Sequence, residues 1–234
     1  MAVSFNEYTQ PRWLRYNTTP SALGLSASGP LTILGWVNIS ELFLGDGIVS
    51  ANADDGAQDS FSITRQLSDR FTSEMIVNFV FANAFVTGIS INTWYFVECF
   101  FSSAERSIRV NNGTPGTNAT ALGTITPFTT IEIRIGRGAT AQFFGCLAEI
   151  AYLNRALTDP ERVSLAAGNT PPNVLGLNNI AFYNSLLNDT TMTQAYLYGA
   201  PVTMDIPNLS PITCGSSPPL IFSSSSPKAS VRWI

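Results

Sequence analysis

Two glutamates, Glu98 and Glu149, come closest to the residue types that a glycosidase needs. Each is flanked by apolar residues in a segment with strand character. Hydrolysis of a glycosidic bond uses two carboxyl groups roughly 5 to 10 Å apart. No acidic string with carboxylates at alternate positions of one strand occurs here. We therefore expect Glu149 to form a structural hydrogen bond or ion pair, because a buried unpaired carboxylate is costly, and we expect no enzymatic activity.

The absence of histidine removes further kinds of chemistry. The 234-residue chain contains none. Ser-His-Asp triads, histidine general bases and histidine-containing zinc sites are therefore excluded. A binding or structural role is favoured over catalysis.

Four aspartates gather in a stretch rich in glycine, alanine and asparagine: Asp46, Asp54, Asp55 and Asp59. Calcium takes six to eight oxygen ligands, which carboxylates and loop carbonyls supply. The stretch is therefore a candidate calcium site. Its spacing matches no fixed loop motif, so a solvated acidic loop is the competing interpretation.

The bulk composition limits the partners. Net charge is -4, only 12% of residues are charged, and Lys228 is the single lysine. Without a basic run, nucleic acid and anionic membranes are not expected partners. The amino-terminal residues lack a signal sequence, so we expect synthesis in a cytoplasm.

The three scattered cysteines are expected to be free thiols.

The elements that position these residues are strands. Apolar residues alternate with polar ones between clusters of Gly, Pro, Asn and Asp, which is typical of half-buried strands. In 131–135, for example, isoleucines alternate with Glu132 and Arg134, which we expect to form an exposed pair. The clearest predicted strands are 31–39, 60–64, 74–81, 94–102, 107–110, 131–136 and 143–154.

Five segments in one order carry a family resemblance: LTILGWV at 31–37, NTWYFV at 92–97, IRVNNG at 108–113, IRIG at 133–136 and FGCLAEIAYLNRALTDPE at 144–161. Together they resemble the laminin G-like branch of the concanavalin A-like lectin/glucanase sandwiches. The resemblance implies an all-β, two-sheet antiparallel jelly roll in which Trp36 and Trp94 face inward. The last segment resembles the closing strand, turn and short acidic-start helix of that family.

The predicted domain boundary lies at Gly168. Residues 1–168 form the laminin G-like sandwich, ending in a helix capped by Thr158 and Glu161. Residues 169–234 are rich in Pro and Ser and are expected to form a carboxy-terminal arm that lies across a neighbour; packing on its own sandwich is the alternative. Its expected anchors are Phe182, Tyr183, Tyr196, Tyr198, Phe222 and Trp233.

Two functions compete at this point. The first is a non-catalytic virion surface or structural protein, such as a phage capsid decoration, cement or attachment protein. It would contact capsid or other virion proteins and form a homo-oligomer, for which a trimer is the guess, on the virion surface or outside cells. The second is a lectin module that binds glycans with rim-loop residues and a calcium site, using Trp13, Tyr16, Asp54 and Asp55. A glycoside hydrolase ranks last.

Overall fold

The strands of this chain were located in a computed structural model. It describes residues 3–4, 13–26, 29–40, 46–53, 60–65, 69–77, 80–121, 130–137, 143–186, 193–205, 212–213 and 218–219. Within these residues the strands are β1 Val3–Ser4, β2 Leu14–Thr18, β3 Leu31–Ile39, β4 Asp46–Ala53, β5 Ser60–Arg65, β6 Arg70–Val77, β7 Val80–Thr87, β8 Trp94–Phe101, β9 Arg106–Val110, β10 Gly116–Asn118, β11 Ile131–Ile135, β12 Gly145–Leu153, β13 Phe182–Asn184, β14 Gln194–Leu197, β15 Ala200–Thr203 and β16 Ile212–Thr213. The helices are α1 Asp159–Ala166, α2 Pro171–Leu175 and the 3-10 turns Ser21–Leu23 and Leu177–Asn179.

These strands form two antiparallel sheets, which confirms the predicted sandwich. The larger sheet has the order β10-β9-β8-β3-β12-β13-β14-β15, and β1 and β16 bring its strands to ten. The smaller sheet has six strands in the order β2-β11-β4-β5-β6-β7. The predicted strand 74–81 is wrong, because β6 ends at Val77 and β7 begins at Val80.

Alternation along each strand explains how the main core forms between the sheets. In β11 the isoleucines at 131, 133 and 135 are fully buried, whereas Glu132 and Arg134 point away from that core. Glu132 and Arg134 form the expected ion pair, but both side chains are mostly buried and not exposed. The buried branched and aromatic side chains of both sheets supply the apolar area that stabilises the sandwich.

A second core lies on the outer face of the ten-stranded sheet, beneath α1 and α2. It contains Trp36, Phe96, Leu165 and Leu175. Trp94 packs against its margin. The expectation that Trp36 and Trp94 face inward therefore needs correction. Both occupy strand positions that alternate with the residues of the main core. Their side chains therefore point toward α1 and α2.

The short helix after the closing strand is confirmed. Thr158 lies at the cap position, its hydroxyl accepts from the Glu161 N–H, and the Glu161 carboxylate accepts from the Thr158 N–H. Pro160 occupies the first turn, where its missing N–H costs nothing. This reciprocal capping box fixes the start of α1.

The carboxy-terminal segment is not an arm over the range that the structure describes. β13 pairs with β12, β14 with β13 and β15 with β14, so these strands extend the ten-stranded sheet. Asp205 then pairs with Arg15 of β2 across the edge of the sandwich. The boundary predicted at Gly168 therefore cuts through one continuous sheet.

The predicted anchors divide into two groups. Phe182 and Tyr183 are buried, while Tyr196 and Tyr198 are half-buried against the two cores of their own chain. They pack in cis, because β13 pairs with β12, β14 pairs with β13, and Tyr198 lies in the turn that follows β14. The other two anchors, Phe222 and Trp233, lie outside the described residues.

The cysteines differ from one another. Cys99 is a free thiol, and burial, with the nearby Glu98 charge, raises its pKa. Cys146 is disulfide-bonded, so the expectation of a free thiol is wrong at that position.

Among the described residues, none of the helices has the length and apolar character that a membrane crossing requires.

Candidate functional site

An open cavity of about 300 Å³ lies on the outer face of the ten-stranded sheet, beside the start of α1. We call it the helix-side groove. It is lined by residues of β8, β9, β10, the turns that join these strands, the segment between β12 and α1, and α1 itself: Glu98, Phe100, Glu105, Ser107, Arg109, Pro115, Thr117, Ala156 and Arg162.

Strand register brings the groove residues together. Phe100 of β8 pairs with Ser107 of β9, and Ser107 pairs with Thr117 of β10. One row of side chains therefore crosses three strands on the same face. Glu98 and Arg109 form the neighbouring cross-strand pair, as expected for positions two residues further along each strand.

The Glu98 carboxylate is held by Arg162 at the floor of the groove. Arg162 Nε donates to Oε2 at 2.6 Å, and its Nη2 donates to Oε1 at 3.1 Å. The Glu98 side chain is 6% exposed and that of Arg162 is 11% exposed. The hydrogen bond to Glu98 raises the pKa of Arg162. Because both carboxylate oxygens are occupied, Glu98 has a structural role.

The upper wall of the groove is more accessible. Phe100, Ser107 and Arg109 are half-buried, and Thr117 is exposed. Arg109 Nη1 donates to the Gly113 carbonyl at 2.6 Å, which orients the guanidinium. An aromatic ring beside hydroxyl and guanidinium donors suits a small polar ligand that also has an apolar face.

The second glutamate lies elsewhere. Glu149 is 1% exposed, and its Oε2 accepts a 2.6 Å hydrogen bond from the Tyr183 hydroxyl. The predicted structural hydrogen bond of Glu149 is thereby confirmed. Burial raises its pKa to about 7, against the lowering effect of Tyr183. β3 separates β8 from β12, so two strand spacings, roughly 10 Å, separate the strands that carry Glu98 and Glu149.

The aromatic residues proposed for glycan contact are packed into the protein. Trp13 is 6% exposed, with the guanidinium carbons of Arg134 and Arg137 5.5 and 5.0 Å from its ring centroid. Tyr16 packs on the main core and stacks on Phe182 at 5.6 Å. Neither is an exposed rim aromatic, which corrects that part of the expectation.

The expected acidic residues cannot be placed as a site. Asp46 begins β4, but its side chain and the residues Asp54, Asp55 and Asp59 lie outside the described part of the chain. Among the described residues, no group of three or more His, Cys, Asp or Glu is arranged to hold a metal. The calcium site and the Asp54 and Asp55 glycan contacts stay predictions.

Sequence reasoning missed the helix-side groove. The alternation of Glu98 and Phe100 on β8, and of Ser107 and Arg109 on β9, was a usable signal, since it places all four on one face. Nothing local, however, shows that Arg162 would reach Glu98, 64 positions away.

Comparisons with known proteins agree with this architecture. A family model described as the concanavalin A-like lectin/glucanases superfamily matches residues 15–161. A heptameric SAP-like pentraxin from Limulus polyphemus has a TM-score of 0.56 and 18% identity, covering 70% of this chain and 81% of that one. Domain 4 of AbnA, a GH43 extracellular arabinanase from Geobacillus stearothermophilus in complex with arabinotriose, has a TM-score of 0.54 and 14% identity, covering 70% and 76%. A search of curated protein sequences found no match.

Proposed function

The chain belongs to the concanavalin A-like lectin/glucanase superfamily, and from this premise we propose that it is a non-catalytic carbohydrate-recognition module. The proposed binding surface is the helix-side groove. The lectin-like sandwich supplies a rigid scaffold, and the groove supplies the ligand contacts.

The observation that carries this proposal is the row Phe100, Ser107 and Thr117 in an open cavity, with Arg109 beside it. A sugar ring has an apolar face that packs on an aromatic ring, and hydroxyls at its edge that pair with polar side chains. A cavity of about 300 Å³ lies at the small end of the range for ligand pockets. These features support recognition of a short glycan segment.

Binding is favoured over hydrolysis by the state of the two glutamates. Glu98 is engaged by Arg162 through both oxygens, and Glu149 is buried against Tyr183. A glycosidase needs one carboxyl to donate a proton and another to attack or to activate water, both facing one substrate. Glu149 is not among the residues that line the groove.

A structural neighbour offers modest support for the ligand class. The arabinanase domain is described in complex with arabinotriose, so a sandwich of this shape can hold an oligosaccharide.

The test is a glycan array followed by calorimetry with the glycans that bind, with arabinotriose as one fixed probe. We expect Phe100→Ala to weaken affinity at least tenfold and Ser107→Ala to weaken it less. Ile91→Ala is the control, because Ile91 is an exposed apolar residue before β8 that does not line the groove. An array without hits at high protein concentration rejects carbohydrate recognition. Equal affinities for wild type and Phe100→Ala reject the groove.

A second candidate function rests on a different surface. Val80, Phe81 and Phe85 on β7 are 54%, 49% and 47% exposed. β7 is an edge strand of the six-stranded sheet, and Phe81 and Phe85 lie on its outward face, opposite the buried Ala82 and Ala84. Exposed apolar patches mark protein interaction sites. This surface supports assembly as a homo-oligomer or as a virion surface protein that contacts capsid proteins. The Cys146 disulfide suits a virion-surface or extracellular location.

Light scattering coupled to size-exclusion chromatography tests the assembly role. We expect an oligomer that dissociates in Phe81→Ser/Phe85→Ser and persists in Val163→Ser, where an exposed residue of α1 is changed. A monomeric wild-type protein would contradict homo-oligomerisation. The virion role further requires capsid or tail genes beside the coding gene, and their absence would count against it.

A further inference from the structure

Glu149 occupies an irregular point in the closing strand. The pairing of β12 with β3 shifts register between Ala148 and Ala151, and Glu149 has a φ of 57° within that bulge. This left-handed conformation is uncommon for a residue with a long side chain. The edge of β12 also changes partner here, from β1 before the bulge to β13 after it. A bulge of this kind re-aims one side chain at the expense of regular pairing.

Two hydrogen bonds join Glu149 to the strands β13–β15, which we call the extension. The Glu149 N–H donates to the Ser185 carbonyl at 2.9 Å, and the Tyr183 hydroxyl donates to Glu149 Oε2 at 2.6 Å. Tyr183 in turn stacks on Tyr196 of β14 at 6.3 Å. Glu149 thus contacts β13 through its side chain, and through its backbone it contacts Ser185, the residue that directly follows β13.

The Glu149 carboxyl group forms a hydrogen bond through only one of its two oxygens among the described residues. Its Oε1 is buried and has no hydrogen-bond partner among the residues that the structure describes. A buried acceptor without a partner costs the desolvation of that atom. β3, β13, β14 and β15 contain no charged residue, and their titratable groups near Glu149 are Tyr183 and Tyr196. The amino-terminal charge makes a minor contribution to the site.

We propose that Glu149 is a pH-dependent clasp that holds the extension on the edge of β12 while its carboxyl is protonated and loosens it when the carboxyl ionises. Opening would let the ionised carboxylate reach water and would expose the β12 edge. The Glu149 clasp is separate from the helix-side groove, and β13 lies outside the residues that the family model matches. The clasp therefore does not depend on the proposed carbohydrate function.

The direction follows from proton linkage. Burial raises the pKa of Glu149 from 4.5 to about 7 in the closed state. The closed state therefore holds its proton over a pH range in which the open state has lost it. Opening becomes more favourable as pH rises from about 4.5 to about 7, by up to tenfold per pH unit, and then levels off.

Hydrogen exchange on the full chain tests the clasp. Protection of amides in β13–β15, corrected for intrinsic exchange rates, is compared at about pH 5, 6, 7 and 8 with that of amides in β5 and β6. We expect protection of the extension to fall toward pH 7 in the wild type while the reference strands change little. Glu149→Gln keeps the shape and removes the ionisation, so its extension should show a flat pH profile.

Tyr183→Phe separates a clasp from a merely structural contact. The Tyr183 hydrogen bond lowers the pKa of Glu149, so its removal should let the loss of protection continue to a higher pH before it levels off, while its onset near pH 4.5 stays the same. Carbon NMR of the Glu149 carboxyl in the wild type gives the midpoint directly and does not require a folded variant. A midpoint near 4.5, or an equal pH dependence in Glu149→Gln, overturns the proposal.

Discussion

Arg162 holds both carboxylate oxygens of Glu98, with Nε–Oε2 and Nη2–Oε1 distances of 2.6 and 3.1 Å. The pair ties α1 to β8, a strand near the middle of the ten-stranded sheet. Arg162 Nη2 also donates to the Leu157 carbonyl at 3.2 Å, which fixes the segment between β12 and α1. The floor of the helix-side groove is therefore a buried ion pair with almost all of its polar atoms satisfied.

Replacing Arg162 by alanine should destabilise the protein by about 3 to 5 kcal/mol, because Glu98 would be left as a buried, unpaired carboxylate. Urea unfolding at neutral pH measures the change. The double variant Glu98→Gln/Arg162→Met should recover much of the loss, since neither partner then carries a buried charge. A loss below about 1 kcal/mol in the single variant would mean that the pair is effectively solvent-screened.

Loss of the capping box of α1 should reduce stability less than loss of the Glu98–Arg162 ion pair. Thr158→Ala removes the acceptor for the Glu161 N–H and should cost about 1 kcal/mol. Thr158→Ser keeps the hydroxyl and should lie within a few tenths of a kcal/mol of the wild type. Thermal unfolding of the three proteins checks the order, and equal melting temperatures for Ala and Ser would contradict it.

Glu161 should affect stability at acid pH. Hydrogen bonds from Arg155 hold the pKa of Glu161 at about 2, below its usual 4.5. A lowered folded-state pKa contributes stability above about pH 4.5 that is lost as pH falls through about 2. Because the Arg155 side chain is 38% exposed, we expect the loss to stay below about 1 kcal/mol. Melting temperatures between about pH 2 and 5 should decline more steeply for wild type than for Glu161→Gln.

The regular parts of the fold could be predicted because local and tertiary signals agree there. In β11 the alternation of isoleucine with Glu132 and Arg134 matches the observed faces, and the Thr158 capping box begins α1 as expected. The face of the sheet on which Trp36 lies could not be predicted from alternation. β3 is buried along all nine residues, so its pattern does not distinguish the two cores.

The extension escaped prediction for a different reason. β13 has three residues and β14 and β15 have four each, and Pro201 lies within β15. Such short segments carry little periodicity, and what makes them strands is the available edge of β12. The groove likewise depends on a long-range contact, because only the folded chain brings Arg162 to Glu98.

Truncation after Gly168 should strongly destabilise the remaining sandwich. The shortened chain lacks β13–β15, which occupy an edge of the ten-stranded sheet, and it loses Phe182 from the main core. We expect aggregation or a dye-binding partly folded state, seen by circular dichroism and sedimentation. A truncated chain that unfolds in one cooperative step with wild-type stability would restore the interpretation of a separate arm.

Phe182→Ala tests the same point without removing any backbone. Phe182 is 0% exposed, stacks on Tyr16 at 5.6 Å and meets the Tyr152 ring edge-on at 5.6 Å. Loss of the ring would leave a cavity between the two sheets and should cost about 3 to 5 kcal/mol in urea unfolding. Phe81→Ala is the matched control, since Phe81 is 49% exposed and its loss should change stability by less than about 1 kcal/mol. Equal effects of the two changes would mean that Phe182 does not belong to the core.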